Sequence, residues 1–416
     1  MRRWFISLLL LSVGILGLGA TFPQLGIVVY QDQPGQHVPT IELIKRWARE
    51  NNVDVQITTI THGTRLVTAT TAIEGGTGPD IIMLSNYEPA LFAEALLDLS
   101  DVAIELGQEN GGWFPICEVL GKVAGQWKAL PIYAYMHQMM YRRDVLEQLG
   151  LPVPETWDEF RSTLLAIKNA GLSIIPFGVS YARSFDGQQF LIGLIMAYGG
   201  RVLSEDGSKV VFNSPETVEA LKFAAGLYWD GLVDPTVLGW DDATNNQAML
   251  AGRIAFTFNG FSIKMQAEKD FPELSPKIGV TVYPAGPQGR FTFPTILSYA
   301  VRASTKYPDL AKDLLRFLFR RDNYQYVLEF TLGAIGTVFQ GFAALDIWRH
   351  PDWRSNMDAV ATAKLFAPPS RQTAEAWESF VIVDMLADVL VRAMAPEAAV
   401  AKASAKLAQI YGLPEQ

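Results

Sequence analysis

At several points in the chain an aromatic residue stands close to an amide or a carboxylate. Tyr87 follows Asn86, Trp240 precedes Asp241, and Phe261 lies two places after Asn259, with Tyr133, Tyr135 and Trp377 as further aromatics. Gln31 and Asp32 follow the first β-branched run. A ring offers a flat apolar face, and the neighbouring amide or carboxylate offers paired hydrogen-bonding atoms. Together they suit a small molecule with C–H faces and a rim of hydroxyls, a carbohydrate above all. An isolated aromatic is ordinarily a core residue, so these become a site only if the fold brings them together.

Catalytic constellations are missing from the same positions. The four histidines, His37, His62, His137 and His350, are scattered with no metal-ligand spacing, so neither a zinc site nor a cofactor is expected. Gly178-Val-Ser-Tyr-Ala182 fails as a nucleophile elbow at its last position. Asp241 and Asp242 are adjacent and point apart, whereas glycoside hydrolysis needs two carboxyls facing one bond. The loop Gly75 to Asp80 lacks the Lys-Ser/Thr of a nucleotide loop and follows a helix instead of preceding one, which makes it a helix end. A net charge of −9 without any basic run excludes a nucleic-acid partner.

The first residues address the chain to export. Arg2 and Arg3 precede an apolar run from Trp4 to Leu18, and small residues at Gly17 to Ala20 suit cleavage, as in a secretory signal peptide. The run can extend into Phe22 and Leu25, so an uncleaved anchor is the alternative. The single cysteine, Cys117, leaves an exported chain without an internal disulfide, and no cysteine follows the apolar run to carry a lipid.

The elements that must position these residues are alternating strands and helices. Gly26 to Tyr30, Val53 to Ile60 and Ile81 to Leu84 read as strands separated by helices, which implies a doubly wound α/β sheet. In such sheets ligands gather at the carboxyl ends of the strands, the position of Gln31, Asp32, Ser85, Asn86 and Tyr87. From Gln126 the chain reads as a strand broken at Pro131 and resumed from Met136 to Tyr141, so that one body hands over to a second with a cleft between them. The second body runs through a capping box at Thr156 to Glu159, a helix opening at Asn213-Ser-Pro-Glu216, and a strand at Ile254 to Phe258.

The order of these motifs resembles the bacterial extracellular solute-binding protein family 1, the sugar-binding components of ABC importers. The matching stretches are Gly76-Thr-Gly-Pro-Asp80, Leu130-Pro131 with Tyr141-Arg-Arg-Asp144, Pro154-Glu-Thr-Trp-Asp-Glu159, Asn213-Ser-Pro-Glu-Thr217, Ala248-Met249 to Gly260, Pro284 to Gly289, and Ala395-Pro-Glu-Ala398. The resemblance implies a two-lobed periplasmic-binding-protein fold with three inter-lobe crossings, near Tyr133 to Gln138, Gly289 to Leu297 and Gly333 to Phe339. One lobe would comprise 21–135 and 297–335, the other 136–296 and 336–416, after a signal peptide at 1–20. It also implies a periplasmic monomer that binds a carbohydrate by hinge closure and passes it to an inner-membrane ABC permease, with no reaction catalysed. Ligand contacts are expected from Gln31, Asp32, Asn86, Tyr87, Tyr135, Trp240, Asp241, Asn259, Phe261 and Trp377. Where the family often carries tryptophan at the strand end, this chain has Phe261. An exported glycan-active enzyme and a membrane-anchored sensor remain alternatives, and a polyol phosphate is a variant ligand that arginines in the cleft would mark.

Overall fold

A computed structural model describes residues 22–31 and 35–415 of the protein. The expected signal peptide and Asp32 lie outside the described residues. Two sheets organise the rest. The first contains β1 (Gln24–Tyr30), β2 (Asp54–Ile60), β3 (Ile81–Ser85), β4 (Leu130–Met136) and a late strand, Pro294–Val301, in the order β2-β1-β3-(Pro294–Val301)-β4. Its first three strands are parallel and the late strand is antiparallel to both of its neighbours. The second sheet is built from β5 (Gln138–Arg142), β6 (Ile175–Phe177), β7 (Ile254–Asn259) and β8 (Ile278–Thr281), in the order β8-β5-β7-β6. The late strand of the first sheet is then β9. Each sheet is the core of one lobe.

The local sequence accounts for these elements. β3 is buried along its whole length, as a central strand covered on both faces must be, whereas β2 on the sheet edge alternates between half-buried and exposed residues. Helices α1 (His37–Asn51) and α2 (His62–Glu74) connect the parallel strands, with Leu43, Ile44 and Trp47 of α1 turned to the core. Helix α3 (Glu88–Leu91) is a single turn after β3. In the second lobe α4 (Phe185–Tyr198) starts on Ser184, whose hydroxyl accepts from the Gly187 N–H at 3.0 Å, and ends on Gly199 at φ +107°, a conformation glycine takes without strain. Helix α5 (Thr244–Leu250) precedes β7. The C-terminal segment adds α6 (Pro351–Thr362) and α7 (Arg371–Glu378).

The strand break read at Pro131 differs in the structure. Pro131 does not end a strand. It lies inside β4, at an edge of the first sheet, where the pairing with β9 steps from Tyr133↔Leu297 to Pro131↔Ser298. A proline there costs no ladder bond, because the irregularity absorbs its missing N–H. The hand-over occurs at His137, between β4 and β5. The chain returns to the first sheet between β8 and β9. The last crossing also comes later than expected, because Gly336 and Gln340 still bond to Ala134 and Gly112 of the first lobe. Only at α6 does the chain reach the second sheet, where the Asn356 Oδ1 accepts from Gln138 at 2.8 Å.

The stretch Gly76-Thr-Gly-Pro-Asp80 is a clamp around one cation. The buried Arg302 guanidinium donates to the carbonyls of Pro79 at 2.6 Å, Gly78 at 2.8 Å and Ala72 at 3.1 Å. Asp80 in turn accepts from Gly26 N–H at 2.9 Å and from the Thr305 hydroxyl at 2.7 Å. Replacing Arg302 with alanine strands these carbonyls inside the protein and is expected to lower stability by about 2–4 kcal/mol. A fall in the urea midpoint at unchanged slope would register it; an unmoved midpoint would show that the clamp carries no stability.

Candidate functional site

Between the two sheets lies a cavity of about 620 Å³ to which both lobes contribute. The first lobe supplies Tyr30 at the end of β1, Thr61 and Gly63 at the start of α2, Tyr135 on β4 and Thr295 opposite it on β9. The second supplies Phe185, Asp186 and Gln189 from α4, Asp241, Asp242, Ala243 and Asn246 around the start of α5, and Asn259, Gly260 and Ser262 after β7. His137, the crossing residue, forms part of the wall. Among the described lining residues there is no lysine or arginine.

Asp186 holds the second-lobe wall together. Its Oδ2 accepts from Asn245 Nδ2 and from Asn259 Nδ2, each at 2.8 Å, and its Oδ1 lies 3.2 Å from His137 Nε2. The other ring nitrogen of His137 meets the Tyr283 hydroxyl. Burial, reinforced by the charge of Asp186, pushes that phenol well above its ordinary range, so it keeps its proton and can donate it to Nδ1 while Nε2–H donates to the carboxylate. Asn259 further bonds Asn246 and accepts from Ser262 at 3.1 Å. A fixed rim of amides and hydroxyls results, with aromatic faces across from it. Tyr30 and Tyr135 lie 6.1 Å apart between ring centroids, and Gln36 donates to the Tyr135 hydroxyl.

Asp242 is wetted by the cleft yet walled by protein, and one of its oxygens accepts the Asp186 N–H at 2.9 Å at the start of α4. Burial first, then the negative charge of Asp186, push its carboxyl up to about 7, against the lowering effect of the backbone donors.

Of the residues singled out from sequence, Tyr135, Asp241 and Asn259 line the cavity. The other described ones are placed elsewhere. Asn86, at φ +42°, donates to the Pro294 carbonyl at 3.1 Å and accepts the Ile296 N–H at 2.8 Å, which fastens β3 to β9. Tyr87 is buried among Phe293, Phe366 and Trp377. Trp240 covers Gly178, where any side chain would collide with its ring, and donates to Thr236 Oγ1 at 2.8 Å. Phe261 packs on Trp353 at 4.9 Å between centroids. Trp377 stacks on Phe293 at 4.6 Å and backs Phe185 at 6.1 Å, so it supports the wall without forming it. Gln31 is exposed and extends the β1–β2 pairing through its N–H to Ile60. Sequence reasoning missed Phe185, Asp186, Gln189, Asn246 and His137. An acid at the start of an apolar helix was the available signal for Asp186, and it reads equally well as a helix-dipole residue.

The bacterial extracellular solute-binding protein family matches residues 35–325, and the chain belongs to it. A protein of Deinococcus radiodurans described as a probable ABC transporter-binding protein is 29% identical over 251 residues, 58% of each chain. The chain thus spans little more than half the length of this relative. Among solved structures, a solute-binding protein of Thermotoga lettingae bound with α-D-tagatose superposes with a TM-score of 0.84 at 21% identity, covering 94% of this chain and 100% of the other. Maltose-bound MalE3 of T. maritima superposes with a TM-score of 0.81 at 22% identity, covering 93% and 99%. The fold is the two-lobed periplasmic-binding-protein fold. No helix among the described residues is long and apolar enough to cross a membrane, and no group of three or more His, Cys, Asp or Glu among them is placed to hold a metal ion.

The raised Asp242 carboxyl fixes a sign. The folded protein favours its protonated form, so this contribution to stability is full below the ordinary carboxylate range and is lost as pH rises through about 7. Asp242→Asn is expected to raise the thermal midpoint at pH 8 and to leave it nearly unchanged at pH 4, as read by calorimetry. An equal shift at both values would show that the carboxyl is not strained.

Proposed function

We propose that this protein is the extracytoplasmic solute-binding component of an ABC importer and that its cleft takes a carbohydrate or a related polyol. The observation that carries the reading is the composition of the cavity. Tyr30, Tyr135 and Phe185 provide apolar faces, while Asp186, Gln189, Asp242, Asn246, Asn259, Thr61 and Thr295 provide a hydroxyl-binding rim. Carboxylates accept hydroxyl protons, and the first-lobe and second-lobe groups can grip one ligand from opposite sides. Such contacts favour the closed arrangement of the lobes over an open one. A phosphorylated or carboxylated ligand would meet Asp186, Asp241 and Asp242 with no lining cation, which disfavours the polyol phosphate. The tagatose and maltose found with the two structural neighbours agree with a sugar, and the D. radiodurans relative agrees with the transporter role. Under this reading the protein works as a monomer in the periplasm and presents its closed surface to a membrane permease.

Hydrolysis is the second reading, favoured by a raised carboxyl, Asp242, near a second one. Both Asp186 and Asp242 stand on the second-lobe wall, however, and both oxygens of Asp186 already have partners. An acid–base pair for glycoside cleavage flanks its bond from two sides. Chromatography of an oligosaccharide after incubation with the protein separates the readings, since a binding protein returns it uncut.

A thermal-shift screen against neutral mono- and oligosaccharides, alditols and their phosphates is expected to raise the midpoint with a neutral member and with none of the phosphates. Titration calorimetry with that member should then show Tyr135→Ala weakening binding by about 1–3 kcal/mol. Stabilisation by phosphates alone, or an unchanged affinity in the variant, would overturn the assignment.

A further inference from the structure

A second cluster of ionisable groups joins the lobes away from the cavity rim. On the first lobe, the buried Arg65 of α2 pairs with Glu88 of α3, Nε to Oε2 at 3.0 Å, and Glu88 Oε2 also accepts the Ser85 N–H at 2.8 Å. On the other side stands Glu378, the last residue of α7. Helix α7 packs on α3, with Trp377 6.4 Å from Tyr87 between ring centroids and the Arg371 guanidinium donating to the Leu91 carbonyl at 2.9 Å. Glu378 Oε1 is sealed from water and has no hydrogen-bond partner. The charged groups that face it are Glu88 from α3 and Arg65 from α2, while Glu375 on its own helix is paired with Arg371.

We propose that Glu378 is a proton-linked latch, and that closing the lobes, which seats α7 on α3, requires the Glu378 carboxyl to take up a proton. As a carboxylate it would place a second negative charge beside Glu88, whose own charge is already matched by Arg65, and leave Oε1 of this half-buried side chain without a donor. Protonated, it is neutral and the repulsion from Glu88 is gone. Opening lifts α7 from α3 and returns the group to water, where the ionised form costs nothing. The electrostatics agree in sign. Burial first, then Glu88, push the carboxyl up to about 7 in this structure, where α7 lies on α3, with Arg65 opposing. A group raised on closing favours the closed form below its ordinary range, and the advantage is lost as pH rises through about 7. Asp242 shares this range but sits on the cavity wall, within the second lobe.

The latch rests on hinge motion between the lobes and not on any ligand, so its test uses the ligand-free protein. Small-angle scattering at pH 5 and pH 8 is expected to give a smaller radius of gyration at pH 5, corresponding to a closed-to-open ratio roughly tenfold higher there. Glu378→Gln, which mimics the protonated side chain, should give the compact value at both pH values, while Asp242→Asn should keep the wild-type response. A wild-type radius that does not move between pH 5 and pH 8 overturns the proposal even if the glutamine variant does not fold. So does a Glu378→Gln protein that keeps the wild-type shift. Neither outcome bears on whether the cleft binds a sugar.

Discussion

The carboxylate of Asp186 is the point on which the second-lobe wall depends. It is reached by Asn245 from α5, Asn259 from the end of β7 and His137 from the chain crossing, and its own N–H is taken by Asp242. A partly buried charge must be matched by donors on all sides, and these donors come from separate segments, so satisfying the charge aligns the segments. The imidazole passes the constraint on to Tyr283, which begins the return crossing. One ion thereby sets the geometry of the rim and ties that rim to the chain crossings.

The first lobe meets its constraints with backbone instead. Asn86 takes up a left-handed conformation that asparagine tolerates better than most residues, and spends both ends of its amide on β9. This holds Thr295 opposite Tyr135, and the Gln189 side chain from the second lobe donates to Thr295. Behind the wall, Trp377 lies against Phe293 at the start of β9 and against Phe185 at the start of α4. The aromatic stack thus links the two lobes and the C-terminal helices.

Much of the fold was legible in the sequence because its signals are local. The apolar run Ile81 to Leu84, the capping box at Thr156 and Glu159 and the order of strands and helices each depend on residues a few positions apart. Pro131 misled because a proline forbids a ladder bond only where the ladder needs one, and whether it does depends on the partner strand, here more than a hundred and sixty positions away. The Gly75 to Asp80 loop follows the end of α2, as its glycines indicated, but the cation its carbonyls surround, Arg302, could not be found by spacing.

The candidate site divides along the same line. Residue types alone determined that the chain has the materials for a hydroxyl-bearing ligand and lacks a metal-ligand or nucleophile pattern, because those chemistries require particular residues at particular spacings. Tertiary structure alone decided which aromatics are wall and which are filling. Tyr135 has the cavity on one side, whereas Phe261 is covered by Trp353 and Trp240 by the backbone at Gly178. The covering group in each case lies tens of residues or more from the ring it covers, and a ring's exposure is fixed by what the rest of the chain lays on its other face.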